Sequence, residues 1–290
     1  MTSRPRFPRE ERVRVLTLNL WHLPDRREDR LRAAARVINE EKPDVVALQE
    51  VARLGSSDSA HVLADLIGFD VAVCDPNLNG DKEGGVAVLT TLPQRASGTI
   101  HSLPATGRAA AATAYLEARS GRLLEVTSAH LTHGGGNEAA RLNDAAYLNH
   151  LLADNVDFDD VLTMRVLAGD FNTAPGSDVH RYLTGKGVHD GSSTLWLDAW
   201  DLCGHGGGVT STADNPWAAV TATTKGIAFP SHLPRRRIDW VLVHGWRYGR
   251  PGMPLAARVT ATRPVQVDGE PVLPSDHFAV MADIWDPRSL

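Results

Sequence analysis

Eight polar residues end apolar, strand-like runs or lie beside such an end: Asn19, Glu50, His130, Asp170, Asn172, Asp239, Asp276 and His277. Taken singly, each has an ordinary reading. Asn19 is a turn residue, His130 a hydrogen-bonded core histidine, Asp276-His277 a loop, and Asp170 with Asn172 an Asx-turn. Taken together they are all oxygen donors or imidazoles, which chance interruptions of a core would not produce. An unpaired carboxylate at the end of a buried strand costs several kcal/mol, roughly. The chemistry such types suggest is a hard-cation site. Mg²⁺ takes carboxylate, carboxamide and water oxygens and keeps substrate phosphate oxygens as ligands, while nearby histidines hydrogen-bond phosphoryl oxygens or move protons. Other chemistries lack their signatures. The chain has no H-E-x-x-H, no G-x-x-x-x-G-K-[ST] and no G-x-S-x-G, so "HGGGN" is unsupported as an oxyanion loop.

The elements that must position these residues read as a mixture. Val13 to Leu20, "VRVLTLNL", is apolar at most positions and ends near Asn19. Leu31, Ala34, Ala35 and Ile38 follow at helical spacing, predicting a helix from Arg30 to Glu41 that Pro43 helps to end. "DVVALQEV" is a short buried strand carrying Glu50. Ser57 to Leu66 reads as a helix capped by Ser57 or Asp58. "FDVAVC", "GGVAVLT", "AATAYLEA" and "RLLEVTSAHL" read as strands. Asn137 caps a helix reaching about Leu152; "RVLAGDF" is a strand and "SDVHRYL" a short helix. "RRRIDWVLVHG", "AARVTATR" and "HFAVMADIW" are the last strands. Strands in the majority, interrupted by helices, favour a layered α/β (α+β) domain. We expect a tail over residues 1–12 and one domain over 13–286.

The bulk numbers are those of an ordinary globular protein: 290 residues, 42% hydrophobic and 22% charged. A net charge of −5 does not favour a broad nucleic-acid surface. Cys74 and Cys203 match no metal spacing and read as reduced thiols. No apolar signal-peptide stretch follows the basic N-terminus, and no run approaches the roughly 18 apolar residues of a membrane helix. The expected location is cytoplasmic.

"LTLNLW", "VVALQEV", "SAHL", "LAGDFNTAPGS", "RRRIDWVLV" and "PSDHFAVMADI" resemble, in this order, the motifs of the endonuclease/exonuclease/phosphatase superfamily of metal-dependent phosphoesterases. The resemblance runs from Val13 to Trp285. It implies a four-layered α/β/β/α sandwich, with two mixed β-sheets packed face to face and a site where strand ends of both sheets meet. It further implies Glu50 as the principal Mg²⁺ (or Mn²⁺) ligand, with Asn19 beside it and Asp276 as a further metal-site carboxylate. Asp170 and Asn172 would hold the attacking water, their two-residue spacing placing both on one side of the strand end. His277 would bind or protonate a phosphoryl oxygen with Asp239 behind it. His130 would be the second phosphate-binding histidine, with Glu83 as its partner.

Substrate is less legible. Arg235, Arg236 and Arg237 form the one dense basic cluster, and Arg26, Arg27, Arg30 and Arg32 a looser one diluted by acids. Arg237 is a candidate for an acidic group of the substrate, Trp217 for stacking on a ring, His133 for a substrate contact. The expected activity is a phosphodiesterase acting on a small-molecule, nucleotide or lipid-headgroup phosphoester. The alternatives are a DNA or RNA nuclease, not favoured by the charge, a phosphomonoesterase, and a non-catalytic phosphate-binding relative.

Overall fold

In the computed structural model, residues 7–77, 84–105, 107, 109–153, 162–245 and 247–289 are described. The strands and helices, in chain order, begin with β1 (Arg12–Asn19), α1 (Arg27–Glu41), β2 (Val45–Val51), β3 (Arg53–Leu54), β4 (Ser57–Asp58) and α2 (Ser59–Ile67). Next come β5 (Asp70–Asp75), β6 (Gly85–Thr90), β7 (Gln94–Leu103), β8 (Ala109–Glu117), β9 (Leu123–His130), α3 (Glu138–Ala153) and β10 (Thr163–Asp170). The rest are α4 (Asp178–Leu183), β11 (Trp196–Asp198), α5 (Ala199–Cys203), β12 (Gly204–His205), α6 (Pro216–Thr224), β13 (Asp239–His244), β14 (Pro254–Thr260), β15 (Val265–Val267), β16 (Glu270–Val272) and β17 (Ala279–Trp285). No described helix is long and apolar enough to cross a membrane.

Two mixed sheets dominate. One has seven strands in the order β12-β14-β17-β1-β2-β6-β5, the other six in the order β11-β13-β10-β9-β8-β7. The central strands are apolar on both faces because both faces are covered, and their side chains divide with the period of two that a pleated strand imposes. Val45 and Ala47 of β2, Val86 and Val88 of β6 and Val280, Ala282 and Ile284 of β17 point between the sheets. There they meet Ala110, Ala112, Val126, Val166, Ala168, Val241 and Val243 of the other sheet. The alternate residues Val46, Leu48, Ala87, Leu89 and Met281 pack outward on Leu31, Ala34, Ile38 and Leu63 of α1 and α2. On the second sheet Ala111, Ala129, Leu167 and Leu242 pack outward on Ala145, Leu148, Val179 and Leu183 of α3 and α4. The outcome is the four-layered α/β/β/α sandwich.

Several local expectations shift. Helix α1 starts at Arg27, three residues before the expected Arg30, and α2 is capped by Asp58, whose side chain accepts from Ala60 N and His61 N. Strand β7 carries no apolar pattern to announce it, because it is an exposed edge strand. The last strand starts at Ala279, leaving His277 in the loop before it. Within residues 7–12, a 3-10 turn over Arg9–Glu11 precedes β1, and Arg9 pairs with the buried Asp44 at 2.7 Å.

Candidate active site

Strand parity and direction bring most of the polar residues to one end of the sandwich. In β1, β9, β10 and β13 the residues facing the other sheet share parity with Asn19, His130, Asp170 and Asp239 respectively, so all four end their strands pointing between the sheets. β1 runs parallel to β2 and β9 parallel to β10, so their C-terminal ends coincide. β13 runs antiparallel to β10, which sets its first residue, Asp239, opposite Asp170. Gly169 lets β10 approach β9: a Cβ there would lie 1.9 Å from Ala129 O. All four side chains are buried. Asn19 Nδ2 bridges two carboxylates, donating to Glu50 Oε1 at 3.0 Å and Asp170 Oδ2 at 3.1 Å.

Glu50 gets there differently. In β2 its parity is that of Val46 and Leu48, which face the helices. A bulge between Gln49 and Val51, with Glu50 at a left-handed φ of 52°, turns the side chain back to Asn19. Left-handed backbone is uncommon for a residue with a Cβ and tends to mark functional positions. Gly84 backs onto the bulge, where a Cβ would come within 2.6 Å of the Glu50 carbonyl carbon. The second oxygen, Oε2, is held by His22, through its backbone N–H at 3.0 Å and its Nδ1 at 2.5 Å. Burial alone would push the Glu50 carboxyl up. The His22 hydrogen bond and the charges of His130 and His22 overrule that and hold it well below the usual carboxylate range.

The two-residue spacing of Asp170 and Asn172 has another cause than a shared strand face. β10 ends at Asp170, and Asn172 sits beyond it at φ 53°. Its N–H donates to Asp170 Oδ1 at 2.8 Å, an Asx-turn, and its Nδ2 donates to Leu131 O at 2.9 Å. Local turn and candidate site are therefore the same object. Asp170 Oδ2 faces His130 Nε2 at 3.8 Å and His277 Nδ1 at 3.9 Å.

His277 is fixed by Asp239, whose Oδ2 is 3.0 Å from Nδ1. Burial alone would lower its pKa, but the charges of Asp239 and Asp170 and the hydrogen bond raise it well above the ordinary histidine value. Burial pushes the Asp239 carboxyl up, Asp170 adds to this and His277 opposes it. Three residues missed in the sequence hold this loop. Thr210 Oγ1 accepts from Ile238 N and Asp239 N, while Thr210 O accepts from Phe278 N. Asn215 caps α6 and donates Nδ2 to Ser275 O at 2.9 Å. Thr221, on the same helix, donates to Asp276 Oδ2 at 2.7 Å. Their only sequence signal was the "DNPW" cap, with proline at the first helical position.

The donor set suits a divalent cation. Ligand atoms of Glu50, His130 and Asp170 lie within 4.8 Å of one another, and so do those of Asp170, Asp239 and His277. Among the described residues no lysine or arginine pairs with these carboxylates or with Asp276; their ion-pair partners are histidines. Burial, together with repulsion from Glu50, pushes the Asp276 carboxyl up against the opposing His277. Such a concentration of negative charge is relieved by a cation with oxygen ligands. Asn19 Oδ1 accepts from Trp21 N at 2.8 Å and keeps a second lone pair that could serve a cation, while Nδ2 orients Glu50.

The expected substrate residues mostly have other work. Arg237 is buried and paired with Asp198 at 2.7 Å and Asp201 at 2.8 Å, which corrects the expectation that it reaches substrate. Trp217 donates Nε1 to Leu273 O at 3.0 Å and packs on Trp21 with centroids 5.3 Å apart, so it pins the loop leading to Asp276. His133 lies half-buried after β9, its carbonyl accepting from Asn137 Nδ2. Glu83 lies outside the described residues; among those described, the buried His130 Nδ1 has no partner. Arg235 pairs with Asp214, and Arg30 is buried on the carbonyls of Leu20, Trp21, Leu23 and Asp25.

No curated protein matches the chain in sequence. Solved structures share its fold. A protein of the endonuclease/exonuclease/phosphatase family from Bacteroides thetaiotaomicron has a TM-score of 0.70 at 17% identity, covering 94% of this chain and 97% of that one. Its counterpart from Bacteroides vulgatus has a TM-score of 0.69 at 18% identity, covering 95% and 99%. D. rerio TDP2 complexed with single strand DNA product has a TM-score of 0.67 at 16% identity, covering 94% and 98%. The sequence profile of the Endonuclease/Exonuclease/phosphatase family matches residues 16–277. The match spans nearly the whole chain and agrees with the sandwich fold, and the chain belongs to the endonuclease/exonuclease/phosphatase family.

Proposed function

We propose that the protein is a divalent-metal-dependent phosphodiesterase that hydrolyses its ester by in-line attack of water. The observation that carries this reading is Asp170, a buried carboxylate flanked by His130 and His277 within 4 Å, with the Asp239–His277 pair beside it. Asp170 is placed to accept a proton from water, with Asn172 alongside. His277, its Nδ1 held by Asp239, keeps Nε2 for a phosphoryl oxygen; His130 is the donor from the opposite side, and Glu83 is its proposed partner. Glu50 and Asp276 are the carboxylates for Mg²⁺ or Mn²⁺, with Asn19 and His22 orienting Glu50. The ion, when bound, neutralises charge on a phosphoryl oxygen. The donors are fixed before substrate arrives, which is what makes transition-state stabilisation effective.

A second reading, a nuclease acting on single strands, draws support from D. rerio TDP2, solved with a single strand DNA product. The net charge of −5 disfavours a long duplex for this chain. Hydrolysis of bis(p-nitrophenyl) phosphate with Mg²⁺ or Mn²⁺, abolished by EDTA, tests the reaction. Plasmid nicking beside a panel of nucleotides and phospholipids tests the substrate. No turnover with either ion overturns the phosphodiesterase reading, and nicking orders of magnitude faster than any small ester overturns the preference for small substrates.

A further inference from the structure

On the His22 side of Glu50 the surface opens into a cavity of about 360 Å³, lined by His22, Arg27 and Arg53 together with Ala52, Pro76 and Gly84. Two arginines thus line a space whose described lining holds no carboxylate. Arg27 stands apart from the other arginines around the start of α1. Arg26 and Arg32 pair with Asp29, and Arg30 is spent on backbone carbonyls. The Arg27 guanidinium donates from Nη2 to His22 O; its Nε is buried without a partner, and no described carboxylate pairs with it. Burial with no such partner lowers its pKa, the mark of a cation left uncompensated. Arg53 uses its Nε on Asn77 Oδ1 at 2.9 Å and has no described carboxylate partner. One residue joins cavity and site: His22 holds Glu50 with its ring and backbone N–H, and Arg27 with its carbonyl.

We infer that this cavity is a subsite for a second phosphate of the substrate, next to the phosphate that is cleaved. The inference rests on the phosphodiesterase reading and narrows it to esters carrying a neighbouring phosphate. A phosphate dianion carries more charge and more acceptor oxygens than a carboxylate, so it can take the fork of one arginine and a bond from another. The cavity adjoins the Glu50 bulge, so the two phosphates it serves belong to one small molecule or to consecutive nucleotides of a strand.

Two esters that differ in that phosphate test it: thymidine 5′-(p-nitrophenyl phosphate) and the same ester with a 3′-phosphate. The wild-type protein should prefer the 3′-phosphorylated ester in kcat/KM, on the order of 10–100-fold, as expected for charge-assisted hydrogen bonds. Arg27→Ala and Arg53→Ala should each shrink that ratio, chiefly through KM, and Arg27→Lys should retain part of it. Competition separates the sources. A sugar bisphosphate that inhibits the wild type better than Arg27→Ala assigns the subsite to small molecules, and a single-stranded oligonucleotide that does so assigns it to strands. A wild-type ratio near one, or a preference that survives both alanine variants, overturns the inference while leaving the esterase reading intact. If neither ester is hydrolysed with Mg²⁺ or Mn²⁺, the esterase reading fails instead. Calorimetric binding of thymidine 3′,5′-bisphosphate to the wild type and to Arg27→Ala then decides the subsite: weaker binding by the variant sustains it, equal binding or none overturns it.

Discussion

Two buried histidine–aspartate pairs lie at opposite ends of the short segment Arg237–Asp239. In one, His180 Nε2 meets Asp198 at 3.1 Å; in the other, His277 Nδ1 meets Asp239 at 3.0 Å. The distances are nearly the same, but the surroundings differ. Asp198 also binds Arg237 at 2.7 Å and caps α5 through Trp200 N. His180 meets Trp240 edge-on, and Trp240 stacks on Phe171 of the G-D-F-N segment. Every charge there has an opposite within the protein. Beside Asp239, by contrast, stands Asp170, with Glu50 on its other side and Asp276 repelled by Glu50, and no described arginine or lysine forms an ion pair with any of them. A buried charge stabilises little even when paired, but it is costly when its partner is missing. The completed pair therefore serves as a support, and in the proposed function the incomplete one is kept ready for an external cation and an anionic substrate.

Removing Arg237 should have the largest effect on the support. Arg237→Ala strands the buried Asp198, so stability should fall by about 3–5 kcal/mol, read as a lower denaturation midpoint. Lost activity at unchanged stability would instead return Arg237 to the substrate. His277→Ala should show in the rate. Turnover should drop on the order of 10²–10³-fold, as for a lost transition-state donor, with metal affinity nearly unchanged; wild-type turnover would remove His277 from the site. Glu50→Gln takes a full charge from the cation, so the metal concentration for half-maximal rate should rise on the order of 10–100-fold. An unchanged requirement in a metal titration would place the ion elsewhere.

Asp239→Asn is milder, about tenfold in turnover, and acts on the pH profile. The wild-type His277 pKa is raised, so the cation and the stability it lends are full below about pH 6.5 and fade as pH rises through the folded-state value. Losing Asp239 should move the basic limb of the pH–rate curve to lower pH; an unmoved limb would show that another group sets it. The support has the opposite sign. Burial pushes the Asp198 carboxyl up, but His180 and Arg237 hold it lower overall. Its contribution is therefore present above about pH 3.9 and lost as pH falls further, which acid unfolding of wild type and Arg237→Ala would compare.

Much of this was legible in the linear chain. The alternation in β2, β6, β10 and β13 is a nearest-neighbour property of pleated backbone, so both covered faces could be read from it. The same parity placed Asn19, His130, Asp170 and Asp239 at strand ends on one face, and the motif G-D-F-N carried its own Asx-turn. Strand β7 escaped because an edge exposed to water needs no apolar pattern. Helix α6 escaped because small and polar residues, "PWAAVTATT", leave no stripe to read.

What only the folded chain decided were encounters between distant residues. The strand parity of Glu50 points away from the site, and the bulge backed by Gly84, 34 positions on, reverses it. In sequence Arg237 lies two residues from Asp239 and looks like part of the same chemistry; the fold gives them different partners, Asp198 to Arg237 and His277 to Asp239. Arg27 looked like one member of a solvated cluster until its neighbours claimed Asp29 and the carbonyls and left it with no counter-charge among the described residues. Residue types and periods are local, so the sequence by itself determined which groups stand at strand ends. Pairing depends on which distant segments the sheets and helices bring within a few ångströms, and that sorting into satisfied and unsatisfied charge belongs to the tertiary structure.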